Sequence, residues 1–500
     1  MALTINGYEL DEQQMEIVKS DATNLLVVAG AGSGKTLTIL GKIKYLVLEK
    51  GVKPDEILCV TFTNAAAKSL SDKIKKEMGF KIDTYTFHKL SMNILSDVNY
   101  SLADANLLDD VVNKFFFVDV LGNKEYMKLV LKYFDIYDRN VVKSYNKLLY
   151  KDEFNGFIRL IVTFIHLFKC NGFELSDFNM FLKSIRKVSN LFHYKREKIF
   201  LVIVLNIYLT YFNYLKDNKE MDFDDLIVNA TKYLRENDYR KLKYVIIDEY
   251  QDTSYVRFLL IREILNKTNA KLMVVGDDYQ SIYRFTGCDV SLFIDFDKYF
   301  NDSKVMKIEN TYRNCQELVD IASWFIMKNK RHISKVMKSC KRLDNPIKVV
   351  EYSNFKVAFK KVLDEIRNEC KGSILVLGRN NLDVNMILDC GFKLKDNLYL
   401  ISDDYKDVEI KFMTVHKSKG LEADNVILIN LSDDVLGFPS KIEDDRVLRL
   451  VCKNSEKYPF SEERRLFYVA LTRTLNRVYL MSPKGNMSCF VKELKRYGIK

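Results

Sequence analysis

Two short runs in this sequence combine residue types that hold and cleave phosphate anhydrides. The first, Ala29-Gly30-Ala31-Gly32-Ser33-Gly34-Lys35-Thr36, is glycine-rich and ends in a lysine and a hydroxyl. Glycines let backbone N–H groups wrap phosphate oxygens, the lysine neutralises the β and γ oxygens, and the threonine hydroxyl holds Mg²⁺. Ala29 stands at the first position of the general G-x-x-x-x-G-K-T pattern, where glycine is usual. The second run, Val245-Ile246-Ile247-Asp248-Glu249, is apolar and closes on two carboxylates. Asp248 can hold the metal together with Thr36, and Glu249 can orient and deprotonate an attacking water. A carboxylate pair at a strand end says little alone; a phosphate loop upstream in the same chain gives it meaning.

These groups need strands to present them. The apolar stretch Leu25–Val28 precedes the glycine-rich run, and a helical pattern reaches about Glu49. Ile57–Thr61 and a further helix follow, which is the rhythm of a parallel α/β sheet. From about Leu90 to Asn218 the pattern becomes long helical periods rich in Phe, Tyr and Lys. An aromatic stripe at helical spacing reads as core, and the lysines as a solvated face. Strand patterns return at Tyr244–Ile247 and Leu272–Val275, then at Ile374–Leu377, Ile410–Thr414 and Val426–Asn430. The parse predicts an α/β protein of two domains. Residues 1–90 with 219–300 form the first, 91–218 a helical insert in it, and 301–500 the second.

Composition sets the class. Five hundred residues exceed one hydrophobic core, and 48% hydrophobic content with five prolines describes a folded chain. An excess of 78 Lys and Arg over 67 Asp and Glu gives net +11, which suits a polyanionic partner without requiring one. The nine cysteines form no C-x-x-C pair, and no histidine is read at ligand spacing, so zinc or iron–sulfur is not expected. Reduced thiols in a cytoplasmic protein are. The N-terminus lacks the pattern of a signal peptide. Ile199–Leu215 runs seventeen residues without a charge, but Asn206, Thr210 and Asn213 lay a polar stripe along it. A buried helix is expected there, and no membrane partner.

Further blocks carry a resemblance. Asp248-Glu249-Tyr250-Gln251-Asp252-Thr253 and Val274-Val275-Gly276-Asp277-Asp278-Tyr279-Gln280-Ser281-Ile282-Tyr283-Arg284-Phe285 are similar to the UvrD/Rep/PcrA branch of superfamily 1 DNA helicases. So are Val60-Thr61-Phe62-Thr63-Asn64, Thr86-Phe87-His88, Thr311-Tyr312-Arg313, Thr414 to Glu422, and Glu462 to Arg473. The blocks fall in family order from residue 10 to about 480. The resemblance implies two RecA-like P-loop domains with ATP and Mg²⁺ in the cleft between them. It implies that Gln14 reads the adenine edge, Tyr312 stacks on the base and Glu422 binds ribose. Gln280 senses the γ-phosphate, and Arg313 and Arg473 reach it from the second domain. Phe62, His88, Tyr283, Phe285 and His416 fall where the family contacts the single strand, by stacking and by polar groups on the backbone.

Departures are specific. Ala65 replaces a common lysine, Thr286 a common arginine, and Ala423 an aromatic. Only 100 residues separate Arg313 from Thr414, where relatives usually carry a second large helical insert. The function implied is ATP-driven 3′→5′ movement on single-stranded DNA, in repair, recombination or phage defence. An ATPase subunit serving a nuclease partner is the main alternative, and a nucleotide-gated binding module a third. RNA stays open as a track, since stacking reads the sugar poorly.

Overall fold

Short runs of Val, Ile and Leu that are apolar on both faces can only be strands covered on both sides. Asn24–Ala29, Ile57–Thr61, Tyr244–Ile247 and Lys271–Gly276 are such runs, buried almost throughout. The computed structural model describes residues 4–188, 191–370, 372–452, 456 and 458–499. In it these strands join Asp83–Thr86 and Ser303–Ile308 in a six-stranded, all-parallel sheet. Its order is 303–308, 24–29, 271–276, 244–247, 57–61, 83–86. The first sheet thus runs to residue 308, past the boundary at 300 read from the sequence. The glycine-rich loop and Asp248 leave the same edge of this sheet, at the carboxyl ends of strands separated only by Lys271–Gly276. That edge is where parallel α/β sheets bind ligands.

The second sheet has seven strands, in the order 347–352, 474–483, 423–428, 374–378, 410–414, 399–401, 393–395. The first five are parallel and the last two antiparallel. The α/β class with two P-loop-type sheets and a helical insert is the architecture found. Between Arg313 and Thr414 the described residues belong to this second sheet, its covering helices and connections, and a segment around His332–Lys335 that packs on the first domain.

The insert is a set of helices around a core of phenylalanines, among them Phe116, Phe154, Phe157, Phe164, Phe168 and Phe200. The helix Leu191–Asn218 is long and apolar enough to cross a membrane by length and composition, and half of its apolar window is buried. Its Phe200, Leu201, Ile203, Val204 and Ile207 pack into that core. Val447, Leu448 and Val451, from the second half of the chain, enter the same core. One sequence reading is corrected here. His166 and Cys170 lie four residues apart on the helix Asp152–Cys170, so a histidine does stand at ligand spacing, and both meet Asp224.

After the helix Gln316–Ile326 the chain turns back along the first sheet. Lys335 is wholly buried and ion-paired to Asp277 and, at 2.9 Å, to Asp278. Asp278 also accepts from His332 Nδ1 at 2.8 Å and from the Ile333 N–H at 3.0 Å. Lys335 and His332 outweigh the cost of burial and hold the Asp278 carboxyl far below its ordinary range. Charges this deep are tolerated only when paired. Lys335→Met should therefore cost about 3–5 kcal/mol, because two buried carboxylates lose their cation. The readout is the urea midpoint, and an unchanged midpoint would show that neither carboxylate depends on Lys335.

Candidate functional site

Gly32 and Gly34 take positive φ, 71° and 79°, and so curl the loop into the helix Lys35–Leu48. A Cβ on Gly32 would lie 2.4 Å from Arg313 Cβ, so only glycine admits the second-domain segment at this point. That segment closes over the loop: Thr311 Oγ1 donates to Ala31 O at 2.8 Å, and the Tyr312 N–H to Gly32 O at 3.0 Å. Within the loop the Ser33 hydroxyl donates to Gly30 O at 2.9 Å. Thr36 begins the helix beside Lys35, and Ala29 ends the preceding strand.

Lys35 Nζ lies 3.1 Å from Glu249 Oε1, and Glu249 Oε2 accepts from Gln251 Nε2 at 2.5 Å. Glu249 sits in the left-handed region at φ 52°, a conformation held only where surroundings require it. Burial works against its charge, but Lys35 and Lys419 prevail and keep it an anion. Asp248 moves the other way: burial and the Glu249 charge raise its carboxyl above the ordinary range. One carboxylate is secured and its neighbour is left wanting a cation. That asymmetry, with Thr36 next in the chain to Lys35, suits a hard divalent ion.

Gln14 is buried, donates from Nε2 to Ser33 O at 3.2 Å and accepts from the Asp11 N–H at 3.1 Å. Its amide is thus placed against the loop while it caps its own helix. Tyr312 is 56% exposed and donates to Asp11 Oδ2 at 2.9 Å, leaving a ring face open beside the loop. Glu422 accepts from Arg313 Nε at 2.7 Å. Arg473 is buried, and its partners are Val469 O, Leu421 O at 3.2 Å, Gln280 Oε1 at 3.2 Å and Thr472 Oγ1 at 3.5 Å. All four are neutral. Burial and the adjacent Arg313 guanidinium lower Arg473 to about 10. A buried guanidinium with neutral partners is an anion site in waiting.

Four of the five residues expected on a single strand form one aromatic row. Phe62 and Tyr283 stack at 5.8 Å and 8°, Tyr283 meets Phe285 edge-on at 6.1 Å, and Phe285 meets His416 at 5.6 Å. Phe285 is 55% exposed. His88 stands apart, edge-on to Phe223 at 5.1 Å. Burial, then Arg257 for His88 and Arg379 for His416, lowers each imidazole to about 4, so both are neutral near pH 7. Neutral rings stack without adding charge. Thr286, one of the departures, donates to Tyr283 O at 2.8 Å and fixes the turn that carries Phe285.

Several neighbours escaped the sequence reading. Arg257 lies 4.8 Å over the Phe62 ring, and Lys419 4.9 Å over Tyr283. Lys419 also ion-pairs Asp252 at 2.5 Å and donates to Gln280 O at 2.7 Å, tying the two domains. Lys419 lay inside a recognised block and Arg257 just beyond one, but a lone cation has no periodic signature. Lys335 gave no signal at all, since its partners are 57 and 58 residues away.

A phosphate loop, a strand-end carboxylate pair and arginines delivered from a second sheet define a P-loop nucleotide-binding protein with two RecA-like domains. The chain belongs to the UvrD/Rep helicase family: residues 10–301 match the UvrD/REP helicase N-terminal domain, and 393–484 the UvrD-like helicase C-terminal domain. It is 27% identical to DNA helicase IV of Escherichia coli (strain K12), across 99% of this chain and 71% of that one. It is 29% identical to ATP-dependent DNA helicase Rep of Buchnera aphidicola subsp. Schizaphis graminum, across 75% and 54%. Against ATP-dependent DNA helicase PcrA of Bacillus subtilis (strain 168) the identity is 30%, across 65% and 40%. The chain therefore spans about half the length of Rep and less of PcrA.

The unpaired charge on Arg473 makes a direct prediction. Arg473→Met should weaken binding of a non-hydrolysable ATP analogue by about tenfold or more, since a charge-assisted hydrogen bond contributes about 1.5–3 kcal/mol. ADP binding should change much less. Calorimetric titration of both nucleotides checks this, and equal losses for the two would place Arg473 away from the terminal phosphate.

Proposed function

We propose that this chain hydrolyses ATP and uses the cycle to move 3′→5′ along single-stranded DNA. One observation carries the reading: Lys35, Glu249, Arg313 and Arg473 converge on a single cleft, and Gln280 connects that cleft to the aromatic row. In this reading Lys35 and the loop amides cradle the phosphates, while Glu249 takes a proton from the attacking water. Arg313 and Arg473 stabilise charge on the γ-phosphoryl oxygens, which makes hydrolysis depend on the two domains closing. Tyr312 stacks on the base, Gln14 reads its edge and Glu422 holds the ribose. Thr36 and Asp248 would hold Mg²⁺, which would neutralise phosphate charge when bound.

On the strand side, Phe62, Tyr283, Phe285 and His416 offer ring faces to successive bases, and His88 extends the path beside Phe223. Gln280 donates to Asp277 at 2.7 Å and its carbonyl accepts from Lys419. Occupation of the γ-phosphate position by Arg473 would free or re-aim Gln280 and so shift the turn bearing Tyr283 and Phe285. The reading extends this activity to the cytoplasm and to repair, recombination or phage defence.

The short span between Arg313 and Thr414 bears on output. Among the described residues it supplies the second sheet and no broad surface for duplex ahead of a fork. Opening a base pair costs about 1.4 kcal/mol by stacking estimates, so a motor with little grip on duplex slips back. The isolated chain should step along single strands yet open long duplexes poorly, unless a nuclease or repair partner or further copies assist.

ATP turnover by the pure chain, alone and with single-stranded DNA, single-stranded RNA or blunt duplex, tests the reading. Strong stimulation by single-stranded DNA is expected; equal turnover in every arm would refute it. Glu249→Gln should still bind ATP and turn it over ~10²–10⁴-fold more slowly, whereas Lys35→Ala should lose binding as well. For the track, Phe285→Ala should weaken single-strand binding by about 1–3 kcal/mol while leaving its salt dependence unchanged, because stacking releases no counterions. A changed salt slope at unchanged affinity would assign Phe285 to a structural role.

A further inference from the structure

The helix Asp152–Cys170 of the insert and the helix Phe223–Glu236 of the first domain meet away from the nucleotide cleft. His166 and Cys170 project from one face of the former, four residues apart. Asp224 projects from the first turn of the latter. His166 Nδ1 lies 3.1 Å from Asp224 Oδ2, and Cys170 Sγ lies 3.1 Å from Asp224 Oδ1. The sulfur is 3.5 Å from His166 Nε2 and 3.8 Å from Nδ1. One ligand atom from each residue can be chosen so that all lie within 4.8 Å of one another.

We infer that His166, Cys170 and Asp224 form a Zn²⁺ site that staples the insert to the first domain, with water as the fourth ligand. Zinc bonds of about 2.0–2.3 Å in a tetrahedron place ligand atoms about 3.3–3.6 Å apart; one atom from each residue already lies within 4.8 Å of the others, so rotation of the side chains closes the set onto an ion. A thiolate, an imidazole and a carboxylate together favour Zn²⁺ over Mg²⁺ or Ca²⁺, which take oxygen ligands. The His166 side chain is 42% exposed and that of Asp224 12%, so solvent reaches the site from the histidine side. Binding replaces the thiol proton: a Zn–S bond forms, the S–H bond breaks, and the proton leaves to solvent. A thiolate, a carboxylate and a neutral imidazole then balance the ion's two charges.

The other carboxylates of this turn have a cation of their own. Lys169 pairs with Asp222 and, at 2.9 Å, with Asp225, so those carboxylates are engaged already. Arg257 is the opposing cation nearby, and its Nη1 is turned to Asp252 O at 3.3 Å. A cysteine–histidine–aspartate nucleophile is a poor alternative. Cys170 is 2% exposed, donates to Asp224 itself, and is held protonated by burial and that carboxylate. The site also backs onto the strand-contact turn, since a Cβ on Gly287 would lie 2.5 Å from Cys170 Cβ.

The test uses the full chain, stripped of metal by a chelator and titrated with Zn²⁺ alone and then with Co²⁺ as a coloured substitute. About one equivalent of Zn²⁺ per chain is expected, and Co²⁺ should give tetrahedral d–d bands with a thiolate charge-transfer band. Cys170→Ser should abolish the charge-transfer band, and Cys340→Ser, at an exposed cysteine, should keep it. His166→Ala, at a half-exposed position, should weaken Zn²⁺ by about tenfold or more without unfolding the chain. Absence of the band in the unaltered chain, its survival in Cys170→Ser, its loss in Cys340→Ser, or undiminished affinity in His166→Ala would overturn the proposal.

Discussion

A single hydrogen bond from the Arg473 guanidinium to Gln280 Oε1, 3.2 Å long, crosses from the second sheet to the first. Its donor is a buried cation with neutral partners, and its acceptor belongs to the segment that continues into Tyr283 and Phe285. Most of what surrounds it can be understood as support. Lys419 crosses the same boundary to Asp252 and to the Gln280 carbonyl. Lys335 and His332 fix Asp277 and Asp278, just ahead of Tyr279 and Gln280, from behind. Gln280 is thus held at its base while its side chain stays bound to a group that a phosphate would attract more strongly. Charge at one end of this segment and exposed aromatic rings at the other are what coupling a nucleotide to a strand requires.

The phosphate side obeys the same electrostatic logic. Lys35 is neutralised by Glu249 across 3.1 Å, and Arg313 by Glu422 across 2.7 Å. Each cation has a carboxylate that a triphosphate can displace, and Arg473 has none to displace. An anion of high charge would therefore strengthen a closure that Thr311, Tyr312 and Lys419 already make.

Much of this was legible in the sequence because local rules determine it. Glycines at tight turns, apolar strands ending in carboxylates, and aromatics beside a phosphate-linked segment all declare themselves within a few residues. The parallel first sheet, the parallel five strands of the second and the helical insert followed from alternation of strand and helix patterns; the antiparallel pair at the edge of the second sheet did not. What escaped was whatever depends on distant pairing. Ser303–Ile308 joins the first sheet beside Asn24–Ala29, a partnership no local pattern announces. Nothing local assigns a role to Lys335 or Lys419, yet folding buries one and sets the other over Tyr283. The sequence reading overlooked His166 and Cys170 as a pair, since their partner Asp224 lies 54 residues beyond Cys170.

The central claim is that the cleft and the strand path are coupled through Gln280. It is tested most directly by measuring single-strand affinity without nucleotide, with ADP and with a non-hydrolysable ATP analogue, in the unaltered chain and in Gln280→Ala. The account predicts an affinity that changes with nucleotide state by about 5–150-fold, the range of an ordinary coupling energy of 1–3 kcal/mol, and a change that collapses in Gln280→Ala while ATP still binds. The same affinity in all three states, or full coupling retained in Gln280→Ala, would contradict it.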